Sequence, residues 1–398
     1  MPKWKKMTVG DLCDTISDTY RGDDKDVVLI NTSDVLEGKV LNHQVVENKN
    51  LKGQFKKTFK ENDILYSEIR PANKRYAFVD FGDTDNYIAS TKLMVLRSRK
   101  DVVRPRFLLS FLSSKSVIEE LQQLAETRSG TFPQITFSSE LAPTPINLPD
   151  LETQDRIVGI LDVIEGKIST NAEINKNLLE QALAIYKDWF CDYALSDGTL
   201  PEDWKITTID AISSLVTRGI APKYDDSSDQ IVLNQKCIRD HTIDISLARR
   251  HLPKKINEKW ISKGDLLINS TGTGTLGRVA QVWFEANNMT VDSHVTIVRP
   301  KDPILQSYIG FWGLSHESEI EAQHTGSTGQ TELPRDRVKA MELPLPDEDT
   351  LSKFNELVIP MTSTVISNQE ENARLSQLRD ALLPKLMSGE LDVSDIDF

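Results

Sequence analysis

The stretch from Pro149 to Phe190 occurs a second time from Pro346 to Met387, at one fixed offset. Ile157, Leu161, Ile164, Ile168, Leu178 and Ile185 in the first copy meet Phe354, Val358, Met361, Val365, Leu375 and Leu382 in the second. The apolar spacing alternates three and four, the mark of a heptad seam and not of the wider stripe of a surface helix. Each copy is therefore read as a helix of roughly forty residues, on the order of 60 Å long at 1.5 Å per residue. Polar exceptions recur too: Asn171 and Asn175 fall on seam positions, and their counterparts Asn368 and Asn372 are asparagines again. Buried Asn in a seam costs stability and fixes register and orientation. The first helix leads away from one module and the second begins where the next module ends, so an antiparallel pair is the economical route. That pairing predicts Asn171 opposite Asn372 and Asn175 opposite Asn368.

The segments around the helices repeat as well. Trp204-Lys205 matches Trp4-Lys5, Asp265-Leu-Leu267 matches Asp63-Ile-Leu65, and Leu345-Pro-Asp347 matches Leu148-Pro-Asp150. The chain thus reads as a tandem duplication with pseudo-two-fold character. Module one covers 1–148, its helix 149–195, module two 196–345 and its helix 346–391, with an acidic tail at 392–398. In module one, Met7 to Ile16 reads as a short helix. Strand-like runs follow at Val27–Ile30, Asp63–Tyr66, Tyr76–Val79 and Leu93–Leu96, then a single helix from Pro105 to about Ala125. Module two retraces this order, with a helix around Leu305 to Ile320. Strands and helices do not alternate as βαβ units, so the expected class is α+β. The modules keep a common frame but differ in their loops, as two domains reading different short sequences would.

Length and composition limit the function classes. With 398 residues, 39% of them hydrophobic and 27% charged, the chain can build several cores and disorder is not expected. No apolar run is long enough to span a membrane, and Met1-Pro-Lys-Trp-Lys-Lys leads into a mixed polar stretch and not a signal-peptide core. Cys13, Cys191 and Cys237 form neither a disulfide framework nor a metal pair. A cytoplasmic location is expected, with no membrane partner. A net charge of -13 opposes uniform nucleic-acid binding. Base is nevertheless grouped in the modules: Lys49 to Lys60, Arg70 to Arg75, Arg97 to Arg106, and Arg239 to Lys259 with Lys254 and Lys255.

Catalytic constellations are lacking. Gly272-Thr-Gly-Thr-Leu-Gly277 satisfies G-x-G-x-x-G, but the following Arg278-Val-Ala-Gln-Val-Trp-Phe284 alternates like a strand. A nucleotide-binding loop needs a helix there, so a hairpin turn is predicted. Ser293 and His294 are strand neighbours pointing to opposite faces, which argues against a dyad. No metal site and no cofactor is expected. A nicotinamide-linked enzyme would rest on the glycine loop alone. A coiled-coil scaffold without a DNA role would show no DNA affinity even beside its partners.

The chain resembles the specificity (S) subunits of type I restriction-modification systems. The residues carrying the resemblance are the loop Gly130-Thr-Phe-Pro-Gln-Ile135, the helix start Leu148-Pro-Asp-Leu-Glu-Thr-Gln154 and the closing Leu382-Leu-Pro-Lys-Leu-Met-Ser-Gly-Glu-Leu391. Module two departs from it, with Thr328-Gly-Gln330-Thr-Glu-Leu333 in the loop and Glu348-Asp-Thr-Leu351 at the helix start. The resemblance implies a non-catalytic subunit in which two target-recognition domains each read half of a split double-stranded DNA target. The helices would set the spacer and dock two methyltransferase subunits, and a motor endonuclease subunit can join. Candidate DNA contacts are Arg70, Lys74, Arg75, Arg128 and Gln134 in module one, and Arg239, Thr273, Arg278 and Gln330 in module two.

Overall fold

A computed structural model describes residues 4–22, 24–49, 53–129, 131–252, 256–326 and 331–396. The chain divides into two compact units, residues 1–168 with 373–398, and residues 169–372. Both dividing points fall inside the long helices, so each unit holds one globular module and part of each helix. Mixed helix and mainly antiparallel sheet in each unit, with the long helices, make an α+β fold.

In the first unit the β-branched runs form two four-stranded sheets. One has the order Cys13–Ile16, Leu93–Ser98, Ile64–Ser67, Tyr76–Phe78, antiparallel throughout. The other has the order Val45–Glu47, Asp26–Ile30, Tyr87–Ser90, Phe55–Lys57, with a parallel pair at its centre. The second unit repeats both patterns. Ser213–Arg218, Val295–Pro300, Leu266–Asn269 and Val279–Gln281 are antiparallel, and Ile231–Leu233 runs parallel to Met289–Val291. Each module is closed by a two-stranded pair, Lys5–Thr8 with Pro145–Leu148 and Lys205–Thr208 with Glu342–Leu345. A buried bidentate ion pair also recurs. Arg97 holds Asp63 at 2.6 and 2.8 Å, and Arg299 holds Asp265 at 2.7 and 2.8 Å.

Three local expectations are corrected. Met7 to Ile16 is one helical turn, Val9–Leu12, between strands Lys5–Thr8 and Cys13–Ile16. Thr8 and Asp11 box that turn, and the extended backbone at Cys13 ends it. The helix expected over 105–125 is two, Pro105–Leu112 and Lys115–Arg128, because the chain turns extended at Ser114, the N-cap of the second. The helix expected around 305–320 likewise breaks at His316, into Gln306–Ser315 and Glu317–Ala322. Val393 is buried in the first unit's core, and Asp397 lies outside the described residues.

The long helices span Leu151–Phe190 and Glu348–Ser388. The second contains Pro360 and Pro384, each of which removes one intrahelical N–H bond. Both start on the same cap: the backbone N–H of Thr153 donates to Asp150 at 2.8 Å, and that of Thr350 to Asp347 at 2.9 Å. The altered sequence at 348–351 therefore leaves the cap intact.

In the first unit, Ile157 and Leu161 share a core with Leu382, Leu383 and Leu386, and Glu165 faces Arg379 at 3.9 Å. In the second, Phe354 and Val358 share a core with Tyr186 and Phe190. The amide nitrogen of Asn171 donates to Asn372 Oδ1 at 2.9 Å and to Glu371 at 2.6 Å. Asn368 donates to Asn175 Oδ1 at 2.8 Å, and Asn175 to the carbonyl of Val365 at 3.3 Å. Partners that rise in number on one helix fall on the other, so the helices pair antiparallel. Ile164 and Val365 are buried, while Ile168, Leu178, Met361 and Leu375 are half-buried. Asn175→Leu is expected to lose about 1–2 kcal/mol by taking the acceptor from the half-buried Asn368 amide. Adding Asn368→Leu should recover part of that loss in a denaturation double-mutant cycle.

Candidate nucleic-acid interface

Most of the basic residues grouped in the sequence are engaged within their own module or by the long helix that follows it. Arg99 pairs with Asp14 at 2.6 Å, Arg104 with Asp155 at 2.7 Å and Arg106 with Asp162 at 2.9 Å. Lys57 and Lys259 donate to the carbonyls of Leu93 and Gly219, and Arg249 lies over the ring of Tyr224. Lys52, Lys254 and Lys255 lie outside the described residues. Some of these bases therefore pair with acids far away in sequence, and others are held by backbone carbonyls or an aromatic ring.

One edge of module one stands apart. After the strand Ile64–Ser67 the chain continues through Glu68 to Arg70 alongside the segment 133–135. The N–H of Arg70 donates to the Pro133 carbonyl at 3.1 Å and that of Ile135 to Glu68 at 2.8 Å, and Ile69 bridges Gln134. The chain then makes a tight turn, Pro71–Asn73, resting on the helix Lys115–Arg128, where Ala72 N–H donates to Gln122 at 3.1 Å. Both ends of that turn are left-handed at residues with side chains, Arg70 at φ 45° and Lys74 at φ 52°. Such positions cost on the order of 1–3 kcal/mol each and collect at functional sites. Arg70 is exposed, and its guanidinium has no partner among the described residues. Lys74 reaches Glu37 at 2.8 Å, and Gln134 accepts from Lys92 at 3.1 Å. Phe132 is exposed beside them. Arg128 is tied to Glu140 at 3.3 Å. Arg75 is spent on the carbonyls of Ser33 and Val35 at 3.0 and 3.3 Å.

Module two builds the same edge from other side chains. Thr271 bridges Glu332, and Leu333 N–H donates to Ser270 at 2.8 Å. This register equates Arg70 with Gly272, Gln134 with Glu332 and Lys92 with His294. The glycine-rich stretch is a hairpin loop, since Val279–Gln281 pairs antiparallel with Leu266–Ile268. Gly272, Gly274 and Gly277 all have positive φ. A Cβ on Gly272 would fall 2.3 Å from Thr275 Oγ1. Thr273 is exposed at the loop tip, and Arg278 is half-buried beside Glu317. Arg239 is exposed on a separate hairpin, Ile238–Arg239 with Thr242–Ile243. Gln330 lies outside the described residues.

Sequence reasoning passed over Lys92 and Glu332, and weighed His294 only as half of a dyad. His294 Nδ1 sits 2.7 Å from Thr271 Oγ1, and Glu332 is held by Arg218 at 2.5 Å. Only the pairing register, which aligns 134 with 332 and not with 330, singles them out. Among the described residues no cluster of side chains could hold a metal, and no helix is long and apolar enough to cross a membrane.

Comparison with known proteins decides the family. The type I restriction enzyme HindI specificity subunit of Haemophilus influenzae is 30% identical over 463 residues, covering 98% of this chain and 100% of that protein. The chain belongs to the type I restriction-modification specificity subunits. The model of the type I restriction modification DNA specificity domain matches residues 1–180 of this specificity subunit. The MjaIX specificity subunit of Methanocaldococcus jannaschii is 24% identical over 317 residues, 75% of this chain and 71% of that one. In fold, the chain is similar to a type I restriction-modification S subunit from M. genitalium. The TM-score is 0.58 at 15% identity, over 97% of this chain and 96% of that one. A specificity subunit serves recognition and not catalysis, which leaves the scaffold and nicotinamide readings without support.

Proposed function

We propose that this chain supplies the DNA sequence specificity of a type I restriction-modification complex, each module reading one half of a two-part target. Residues 1–148 take one half-site and 196–345 the other. The helical segments 149–195 and 346–391 set the unread spacer and dock two methyltransferase subunits, and a motor endonuclease subunit can join the same complex. The observation that carries the reading is Arg70. It occupies a left-handed position that module two fills with glycine, so the backbone gains nothing from an arginine there. What the arginine adds is an exposed guanidinium, suited to guanine in the major groove or to phosphate.

Arg70→Gly separates the two contributions. The variant is expected to be at least as stable as the parent in a melting experiment, because the strain is relieved. DNA binding by the complex with its methyltransferase should nonetheless weaken by about 1–3 kcal/mol. A base contact would show as relaxed recognition at one position of one half-site. A phosphate contact would lower affinity for all sequences and flatten the salt dependence. Unchanged binding would remove Arg70 from the interface. By the same register, Lys92→Ala and Glu332→Ala should each affect a different half-site.

A further inference from the structure

The outer sheet of module one carries a cleft of about 530 Å³ that the DNA-reading edge does not use. Its walls are the rings of His43, Phe81 and Tyr87, with Val45 on one side and Asp80 and Asp83 at the rim. The ring centroids of Phe81 and Tyr87 are 5.0 Å apart at 46°, and those of His43 and Phe81 are 5.2 Å apart at 77°. The Tyr87 hydroxyl lies 2.9 Å from His43 Nδ1, which fixes the two rings against each other. Aromatic rings attract a cation placed over a face within about 6 Å of the centroid. The carboxylates of Asp80 and Asp83 add the complementary charge. Among the described residues neither has an ion-pair partner, whereas Asp14, Asp63, Asp155 and Asp162 are each held by an arginine. The same charge disfavours a phosphate backbone.

Two further features narrow the ligand. Among the described residues Val45–Glu47 is an edge strand paired only with Asp26–Ile30, and Val45 and Val46 are exposed along it. An edge of this kind accepts an extended peptide as an added strand. Module two does not keep this set of side chains, although Phe284 stands where Phe81 does. The sheet registers put Met289 where Tyr87 stands and Trp283 where Asp80 stands, and the indole of Trp283 stacks on Phe311 instead. The cleft's ligand would therefore bind once per chain, unlike a partner docked in the same way on both modules.

We propose that this cleft takes the guanidinium or ammonium group of an arginine or lysine carried on an extended segment of a partner protein. The assignment stands independently of the DNA-reading proposal. It is tested by titrating the full-length chain with the acetylated, amidated tripeptide Val-Arg-Val, the same peptide with norleucine in place of arginine, and spermidine. The arginine peptide is expected to bind at least about tenfold more tightly than the norleucine peptide, on the scale of a partly desolvated cation–π contact. The double variant Asp80→Asn with Asp83→Asn should lose about that factor, while the melting temperature and the DNA affinity of the methyltransferase complex stay unchanged. Equal binding of the two peptides, or no loss in the double variant, would overturn the proposal. Spermidine binding as tightly as the arginine peptide would overturn the assignment to a protein segment.

Discussion

Phe354→Ala is expected to cost about 3–5 kcal/mol, the range for removing a fully buried aromatic side chain. Phe354 is 0% exposed and lies at the centre of an aromatic cluster on the second long helix. Its ring centroid is 5.0 Å from that of Phe190, 5.8 Å from Phe311, and 6.1 Å from both Tyr186 and Trp189. Three of these neighbours come from the first long helix and one from the module. A single truncation therefore loosens the helix pair and its attachment to the module together. The equivalent position in the first copy, Ile157, is equally buried but contributes no ring. Ile157→Ala should fall lower, at about 2–4 kcal/mol. Urea denaturation of both variants checks the order. A loss below about 1 kcal/mol for Phe354→Ala would mean that the cluster collapses around the vacancy without cost.

Arg299→Met is expected to cost about 3 kcal/mol or more, with a pH dependence that identifies the cause. Asp265 is buried, and burial pushes its carboxyl above the ordinary value even though Arg299 hydrogen-bonds it and pulls the other way. Removing the guanidinium leaves burial unopposed except for the backbone N–H of Ser262. Breaking one side of a buried pair leaves an uncompensated charge and is far more damaging than replacing both partners. The sign follows from linkage. The folded variant holds the Asp265 proton more tightly than the unfolded chain does, so the penalty is absent below the ordinary carboxylate pKa. It grows as pH rises toward the elevated folded value and is greatest above it. Stability of Arg299→Met should thus lie closest to the parent in acid and diverge toward neutral and alkaline pH. Adding Asp265→Asn should remove most of that dependence. A loss independent of pH would place the cost in packing.

The repeat was the most legible part of the chain because helix pairing has a short period and a one-dimensional pattern. Seam residues such as Leu161 and Val358, and the asparagines that meet across the pair, can be located by counting. The break between Leu112 and Lys115 was marked as well, by the consecutive serines at 113 and 114, but the apolar residues on its two sides keep one helical phase across the gap. Charge was the least legible property. Arg97, Arg99 and Arg104 read as one basic cluster, yet their partners Asp63, Asp14 and Asp155 are 34, 85 and 51 residues away, set by sheet pairing and by the packing of the helix start. The candidate interface was legible in part. Arg70, Lys74 and Gln134 come to one edge, while Arg75 is consumed by backbone carbonyls. A strained φ at Arg70, and its glycine counterpart 272, exist only once the two edges are laid in register.

The most direct test is a genome-wide map of methylated bases before and after residues 196–345 are exchanged for the second module of a related specificity subunit. The account predicts that the parent gives one split motif, and that the exchange changes one half while the other half and the spacer remain. A motif changed in both halves, or in neither, would contradict the assignment of one half-site to each module.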